Sequence, residues 1–266
     1  MKLTKSNYYT PKADQEFMSV SQYKLWLDCP ARALATIKGE YKQPATKALL
    51  VGSFVDAYFE GSLEQFREEH PEIFNSRTGE LKAEYRQAED IIRRCEADKV
   101  FMEYMTGRKQ VIKTAELFGT LWKIRMDVYK PKQRIVDLKI VRSFERIMGV
   151  SFIQHWLYDT QLAVYAKIEA LATGGDPLET YIAAATKEDV TDLGVIHIPH
   201  WRHEECLAEV EKNMPRILAY KSGELEAPGC GVCAYCRSIK KLTGPIDFEL
   251  VGLSTKEIAL MEGKIF

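Results

Sequence analysis

The sequence predicts an α/β (α+β) fold, in which helices flank a central mixed β-sheet. Three observations support this prediction: two adjacent strand patterns within residues 120–141, a long helical pattern over residues 151–173, and later strand patterns at residues 180–185 and 193–198. The chain has 266 residues, of which 46% are hydrophobic, so it can bury a sizeable core.

These elements divide the chain into one expected domain with short extensions. Residues 1–18 look like a polar arm, and residues 242–266 form a C-terminal tail. Cys29-Pro30 should interrupt the first helix of the domain, because proline has no backbone N–H to donate inside a helix. The domain, residues 19–241, is expected to comprise a helical elaboration (19–110), a core that carries the sheet (111–222) and a cysteine-rich segment (228–241).

Composition narrows the classes of function. The formal net charge is −1, so binding to nucleic acid would depend on a local basic lining such as Lys123, Arg125 and Arg142. No apolar run approaches the roughly 18 residues of a membrane span, and the N-terminus shows no hydrophobic signal region. Six cysteines without a secretion signal indicate reduced thiols or metal ligands, so we expect a cytoplasmic protein without membrane contact.

Two charged residues interrupt an apolar strand pattern at residues 135–141. Side chains alternate along a strand, so Asp137 and Lys139 point to the same face. Burying an unpaired charge costs several kcal/mol, roughly half the stability of a small domain. The pair therefore requires compensation by each other, by water or by a metal. A plain ion pair on a half-exposed edge strand is the alternative.

The preceding strand pattern places a second acid beside this one. A five-residue loop over residues 130–134 pairs Tyr129 with Ile135 and sets Asp127 opposite Asp137, whereas a four-residue loop puts the two acids on opposite faces. Adjacent carboxylates repel unless a cation lies between them or one is protonated. Oxygen ligands of this kind favour Mg²⁺ or Mn²⁺.

The ordered set of these residues resembles the core motif of the PD-(D/E)XK nuclease superfamily, with aspartate in the second acidic position. A Gln-xxx-Tyr pair downstream resembles the motif of its RecB-type branch, and the chain is similar to phage and prophage exonucleases related to the nuclease domain of exodeoxyribonuclease VIII. The resemblance extends from about residue 19 to residue 241. It is carried by Asp127, Asp137, Leu138, Lys139, Gln161 and Tyr165.

The resemblance implies a restriction-endonuclease-like core and a Mg²⁺-dependent DNA exonuclease that acts on linear double-stranded DNA in phage recombination or repair. Asp127, Asp137 and the backbone carbonyl of Leu138 would bind Mg²⁺ or Mn²⁺, and Lys139 would serve the attacking water. Gln161 and the tyrosine four residues later would position the DNA strand or a catalytic acid. The resemblance also suggests a single-strand annealing protein as partner, and a homo-oligomer.

Two further acids are candidates for the same site. Asp56 stands where RecB-type nucleases commonly carry the histidine of a Gly-xxx-His motif, and an aspartate can also bind Mg²⁺. Glu116 lies on the strand before Gly119, from which related nucleases often supply an acid. An exposed helix acid and an exposed strand glutamate are the respective alternatives.

Two other classes of function stay open. One is a non-catalytic DNA-binding or assembly module that has kept the nuclease fold. The other is an endonuclease of the same fold, because a fold does not determine its substrate.

A second candidate site lies in the cysteine-rich segment. Cys230, Cys233 and Cys236 are separated by two residues each, which lets a loop wrap three sulfurs around one ion or cluster. Cys29, followed by proline, is the natural fourth ligand. RecB-type relatives that carry iron–sulfur clusters likewise take one cysteine before the core and three after it. The resemblance thus implies a [4Fe–4S] cluster, with Zn²⁺ or an empty site as alternatives.

Overall fold

The computed structural model describes residues 1–43, 47–242 and 244–261. The longer helices are α1 (Pro11–Glu16), α2 (Val20–Asp28), α3 (Pro30–Lys38), α4 (Lys47–Glu60), α5 (Leu63–Glu69), α6 (Ala83–Glu96), α7 (Lys99–Tyr104), α8 (Phe152–His155), α9 (Tyr158–Thr173), α10 (His200–Ser222), α11 (Ala234–Ile239) and α12 (Thr255–Met261). The strands are β1 (Arg108–Leu117), β2 (Thr120–Lys130), β3 (Arg134–Val141), β4 (Glu179–Thr186) and β5 (Leu193–Ile198).

The strands form one mixed sheet in the order β1-β2-β3-β4-β5. β2 and β3 form an antiparallel hairpin, β3 and β4 are parallel, and β4 and β5 are antiparallel. Parallel neighbours need a crossover, and α9 lies between β3 and β4 in the chain. The predicted mixed sheet with flanking helices is therefore confirmed.

The chain packs as two compact units. The terminal unit comprises Met1–Gln43, Phe118–Leu121 and Val210–Phe266, and the sheet unit comprises Pro44–Leu117 and Trp122–Glu209. These units cut across the divisions expected from the sequence. α2 and α3 pack with the cysteine-rich segment, whereas α4 to α7 belong with the sheet.

The sheet unit has its own apolar core. Alternation along β2 buries Trp122, Ile124, Met126 and Val128 on one face of the strand, as the period of two predicts. α4 and α6 contribute apolar side chains to the same unit. The core cluster includes Phe54, Val55, Ile91, Ile92, Phe101, Val128, Val136, Leu138, Ala183 and Ala185.

The N-terminal segment differs from the predicted polar arm. It contains α1, and it buries Tyr8, Phe17 and Met18 to 5% exposure or less. The backbone N–H of Met18 also donates to the carbonyl of Leu121 at 2.7 Å, within the terminal unit. The apolar residues are too few and too widely spaced to show a helical period, so only packing reveals them.

The predicted interruption at Cys29-Pro30 is confirmed. α2 begins after Ser19, whose hydroxyl accepts a hydrogen bond from the N–H of Gln22, and it ends at Cys29. Pro30 then opens α3 at a position where no N–H is needed. Within the described residues, none of the helices combines the length and the apolar character that crossing a membrane requires.

Candidate active site

The hairpin register brings the two predicted acids to one place. Tyr129 pairs with Ile135, as predicted, and the ladder continues to Val128 and Val136. Residues 130 and 134 also pair, so the loop has three residues rather than the predicted five, and this change of two leaves the register the same. One step further, the backbone N–H of Leu138 donates to Oδ2 of Asp127 at 3.0 Å. The Asp127 side chain thus takes over a strand hydrogen bond and lies against β3.

Three polar side chains surround the second acid. Asp137 is only 2% exposed, and its Oδ2 forms an ion pair with Nζ of Lys139. Nε2 of Gln161 donates to Oδ1 of Asp137 at 2.8 Å and lies 3.4 Å from Oη of Tyr165. Residues four apart on α9 share one face, so Gln161 contacts the acid and Tyr165 lies directly beside Gln161.

Burial and the neighbouring charges shift the pKa values of the ionisable groups in this cluster. Burial, followed by the charge of Asp127, raises the pKa of Asp56 well above its ordinary value. Burial also raises the pKa of Asp137 to about 6, despite the opposing effect of the Lys139 ammonium. Burial alone would lower the pKa of Lys139, but Asp137 and Asp127 raise it by more. The lysine is therefore an ammonium ion at neutral pH.

A small cavity of about 10 Å³ opens beside these groups, which is room for one water molecule or one ion. Asp56 from α4 and Asp127 from β2 face it together with Leu138. Asp137 is not among the lining residues, because Lys139 and Gln161 engage its carboxylate. The lining consists of Asp56, Phe59, Glu60, Met105, Lys109, Gln110, Asp127 and Leu138.

The donor set fits a hard divalent cation. Mg²⁺ takes one or two carboxylates from a protein and keeps several waters, and Asp56 and Asp127 supply such carboxylates at the cavity. A buried amide oxygen, Oε1 of Gln110, has no hydrogen-bond partner within the described ranges. A cation in the cavity would compensate both the crowded charges and this oxygen.

The structure corrects the prediction for Glu116. The side chain at the cavity end of β1 is Gln110, whose Nε2 donates to Oδ1 of Asp127 at 3.1 Å. Glu116 lies six residues further along the strand, up to about 20 Å away at 3.3 Å per residue. It is also solvent-exposed. The exposed-strand alternative therefore applies to this glutamate.

The expected basic lining is only partly formed. Lys123 is 1% exposed, so its amine cannot reach DNA, and this prediction is wrong. Arg125 is partly buried and lies 3.7 Å from Glu60, which itself lines the cavity. Arg142, directly after β3, is exposed to solvent.

Sequence reasoning missed the three polar cavity residues Glu60, Lys109 and Gln110, besides the apolar Phe59 and Met105. Glu60 could have been found, because it follows Asp56 by four residues on one helix and therefore shares its face. Lys109 and Gln110 carried no comparable signal. They lie just before residue 111, where the core that carries the sheet was expected to begin.

The four predicted cysteines meet in the terminal unit. Their sulfur atoms all lie within 4.8 Å of one another. Sγ of Cys29 is 3.6 Å from that of Cys236 and 3.8 Å from that of Cys233, and the Cys230–Cys236 distance is 3.9 Å. Tetrahedral zinc with Zn–S bonds of about 2.3 Å needs sulfur separations of about 3.8 Å. The arrangement fits a single tetrahedral ion.

The thiols differ in acidity. Burial raises the pKa of Cys29 to about 12. Burial also acts on Cys230, but the backbone N–H groups of Val232 and Cys233 outweigh it and lower the pKa of Cys230 to about 7. Metal binding therefore has to displace a proton from Cys29.

The hairpin acids, the lysine beside them and the flanking Gln-xxx-Tyr pair define a nuclease of the PD-(D/E)XK type. Residues 19–239 match a family described as a PDDEXK-like domain of unknown function (DUF3799). The chain belongs to this family. The match covers nearly all of the sheet unit and both halves of the cysteine site.

Comparison with solved structures agrees with this family assignment. A crystal structure from Eubacterium rectale, of a protein described provisionally as an exonuclease, is 45% identical, with a TM-score of 0.90 over 94% of this chain and 98% of that one. The structure of SSO0001 is 17% identical over 84% of this chain and 97% of that one, and its TM-score of 0.29 is too low to indicate a shared fold. No curated protein matches the sequence.

Proposed function

We propose that the protein is a Mg²⁺-dependent DNA exonuclease that hydrolyses phosphodiester bonds from the ends of linear DNA. The observation that carries this proposal is the meeting of Asp56, Asp127 and Asp137 with a protonated Lys139. The likeness to a structure described as an exonuclease supports the end-directed activity.

Asp56, Asp127 and the Leu138 carbonyl would hold the cation, with Asp137 as a further ligand. The cation would supply charge stabilisation for the phosphate and a more acidic water. Lys139 forms an ion pair with Asp137 and donates to the Leu138 carbonyl at 3.3 Å, and these oxygens keep further lone pairs that could bind a metal. The lysine ammonium can also donate toward the phosphate or the attacking water.

The raised pKa of Lys139 refines its role. While the charges of Asp137 and Asp127 are not compensated by a metal, they keep the Lys139 amine protonated, and in that state it is a hydrogen-bond donor rather than a general base. It can donate a hydrogen bond and neutralise charge that develops on the phosphate. Gln161 keeps the Asp137 carboxylate in place through its amide N–H, which also donates to the Tyr165 hydroxyl at 3.4 Å. Together the two side chains would position the DNA strand or the catalytic acid.

The activity is tested by incubating linear, nicked and closed-circular DNA with the protein and Mg²⁺. Loss of linear DNA alone is the expected result, and Asp137→Asn should abolish it. Glu116→Gln is the matched control, because it removes an exposed acid of the same sheet and should digest DNA at the parental rate. Equal digestion by Asp137→Asn would refute the assigned chemistry.

The other outcomes identify the alternatives. Cleavage of closed-circular DNA would indicate an endonuclease of the same fold. DNA binding without cleavage, at any concentration of Mg²⁺ or Mn²⁺, would indicate a non-catalytic module.

The cysteine cluster is proposed to hold a structural metal centre. The sulfur spacing supports a single Zn²⁺ ion, whereas the resemblance to cluster-bearing RecB-type nucleases supports [4Fe–4S], whose sulfurs each bind a different iron and must lie further apart. An absorption spectrum and elemental analysis of anaerobically purified protein distinguish the two. Protein that contains neither metal after expression in supplemented medium would refute a metal centre.

The biological setting is proposed from the resemblance. An exonuclease of this kind would work inside the cell in phage recombination or DNA repair, as a homo-oligomer and beside a single-strand annealing protein. Light scattering of the purified protein tests the oligomer. Co-purification with an annealing protein encoded nearby tests the partner.

A further inference from the structure

Gln110 is a strained and buried residue at the edge of the acid cavity. It is 4% exposed, and its φ is +54°, in the left-handed region that non-glycine residues rarely adopt. Strain of this kind costs free energy and tends to persist where the surrounding structure imposes it, often at functional sites. The residue lines the same cavity as Asp56 and Asp127.

The orientation of its amide follows from its neighbour. Nε2 donates to Oδ1 of Asp127 at 3.1 Å, and a carboxylate can only accept hydrogen bonds. The amide nitrogen therefore faces Asp127, and Oε1 is directed elsewhere. Among the residues that the structure describes, no group donates a hydrogen bond to this buried oxygen.

A buried acceptor without a donor is costly and calls for an explanation. Amide oxygens belong with carboxylates and water among the hard ligands that Mg²⁺ and Mn²⁺ accept. We propose that Gln110 is a further ligand residue, whose amide oxygen binds the divalent cation held by Asp56 and Asp127. This inference rests on the proposed metal-dependent function and extends its ligand set to β1.

Gln110 has two functional ends, which separate this role from a purely structural one. Its N–H group holds Asp127, and its oxygen is the proposed ligand. Gln110→Met removes both groups at similar side-chain length. Gln110→Glu removes the N–H donor but keeps an oxygen and adds negative charge.

The test is Mn²⁺ binding in the absence of DNA, measured by calorimetric titration or by the electron paramagnetic resonance signal of free Mn²⁺. Gln110→Met should raise the Kd for Mn²⁺ by about 10- to 100-fold, in the range seen when a metal site loses a supporting group. Gln110→Glu should bind Mn²⁺ at least as tightly as the parent. It should also reach half of its maximal rate at no more Mg²⁺ than the parent requires.

A role limited to holding Asp127 predicts a different order, in which Gln110→Glu binds Mn²⁺ as weakly as Gln110→Met. That order, or a parental Kd for Gln110→Met, would overturn the inference. Gln110→Gly guards against a folding defect, because it removes the oxygen and relieves the positive φ. It should show the same loss of Mn²⁺ affinity with a circular dichroism spectrum like that of the parent.

The controls separate this inference from the proposed function. Asp127→Asn should lose Mn²⁺ binding, and Glu116→Gln should retain it. If the parent protein itself bound no Mn²⁺ at this site, the proposed function would fail together with the inference. If the parent binds Mn²⁺ and the Gln110 variants match it, only the role of Gln110 is refuted.

Discussion

The acid cavity and the cysteine cluster gather metal ligands in different ways. The acids stand on α4, β2 and β3, which share the apolar core of the sheet unit. Cys29 stands at the junction of α2 and α3, whereas the other three cysteines lie in the loop before α11 and in α11 itself, about 200 residues further along the chain. The acid site therefore rests on a scaffold with its own core, whereas the thiols themselves connect distant parts of the terminal unit.

The pKa shifts of the carboxyl groups and of the thiols show the same contrast between the two sites. In the acid cavity, the scaffold holds carboxyl groups close together in a buried place. Burial raises the pKa of Asp56 and that of Asp137. In the cysteine cluster, burial keeps the Cys29 thiol neutral until a metal displaces its proton. On the proposed function, a cation in the acid site would serve chemistry, whereas a cation among the thiols would serve stability.

The largest expected effect separates activity from stability at the acid site. Asp137→Asn should lower the rate of DNA digestion by about 1000-fold or more, because it removes charge from the reacting centre. Its Tm should equal or exceed that of the parent, since a buried carboxyl with a raised pKa is not stabilising when ionised. A large fall in Tm would contradict the idea of an independent scaffold.

The cysteine site should show the reverse pattern. Cys29→Ser should lower the free energy of unfolding by about 3 kcal/mol or more, because metal binding energy is also folding energy. Denaturant unfolding and metal content measure the effect. The matched control is Cys95→Ala, a buried cysteine outside the cluster, which should keep the full metal content. An unchanged stability of Cys29→Ser would remove the contrast between the two sites.

The pH dependence of stability should mark the acid site. In the metal-free protein, Asp137 binds protons more tightly folded than unfolded, since its pKa rises from about 3.9 to about 6. As the pH rises from 4 to 6, the free energy of unfolding should therefore decrease, and this residue should account for on the order of 1–3 kcal/mol of the decrease. Denaturant titrations in EDTA, compared with Asp137→Asn, isolate the effect. An equal slope in both proteins would contradict it.

The smallest expected effect is a change in DNA affinity, which tests whether the surface near Arg142 binds DNA. Arg142→Ala should weaken DNA binding a few-fold and reduce the slope of log K against log salt by about 1, because one phosphate contact is lost. Arg237→Ala, an exposed arginine beside the cysteine cluster, is the matched control and should bind DNA as the parent does. Fluorescence anisotropy in Ca²⁺ measures both. An equal loss of DNA affinity in both variants would indicate that the DNA-binding surface also includes the cysteine site.

Several features could be predicted from the sequence because they depend on local periodicity. The alternation along β2 predicted that strand, and the turn residues after it predicted a hairpin, but the register that joins Asp127 to Asp137 was one of two alternatives and needed the structure to select it. The spacing of four on α9 specified that Gln161 and Tyr165 lie side by side on one face of the helix. The separation of two between cysteines likewise specified a loop that can surround one metal.

Other features depended on contacts between distant segments. Lys123 alternates with apolar residues like an exposed strand lysine, but tertiary packing buries it. Glu116 and Gln110 lie on the same strand, and only the pairing of β1 with β2 shows which of them reaches the acids.

The sequence by itself placed the acids, the lysine beside them and the four cysteines, because these depend on local spacing, and the resemblance of the ordered set to a known motif indicated the nuclease class. Only the tertiary structure decided which end of β1 meets the cavity, and that Glu60, Lys109 and Gln110 join it. The physical reason is that strand order and burial depend on interactions between residues far apart in the chain, and no local pattern encodes them.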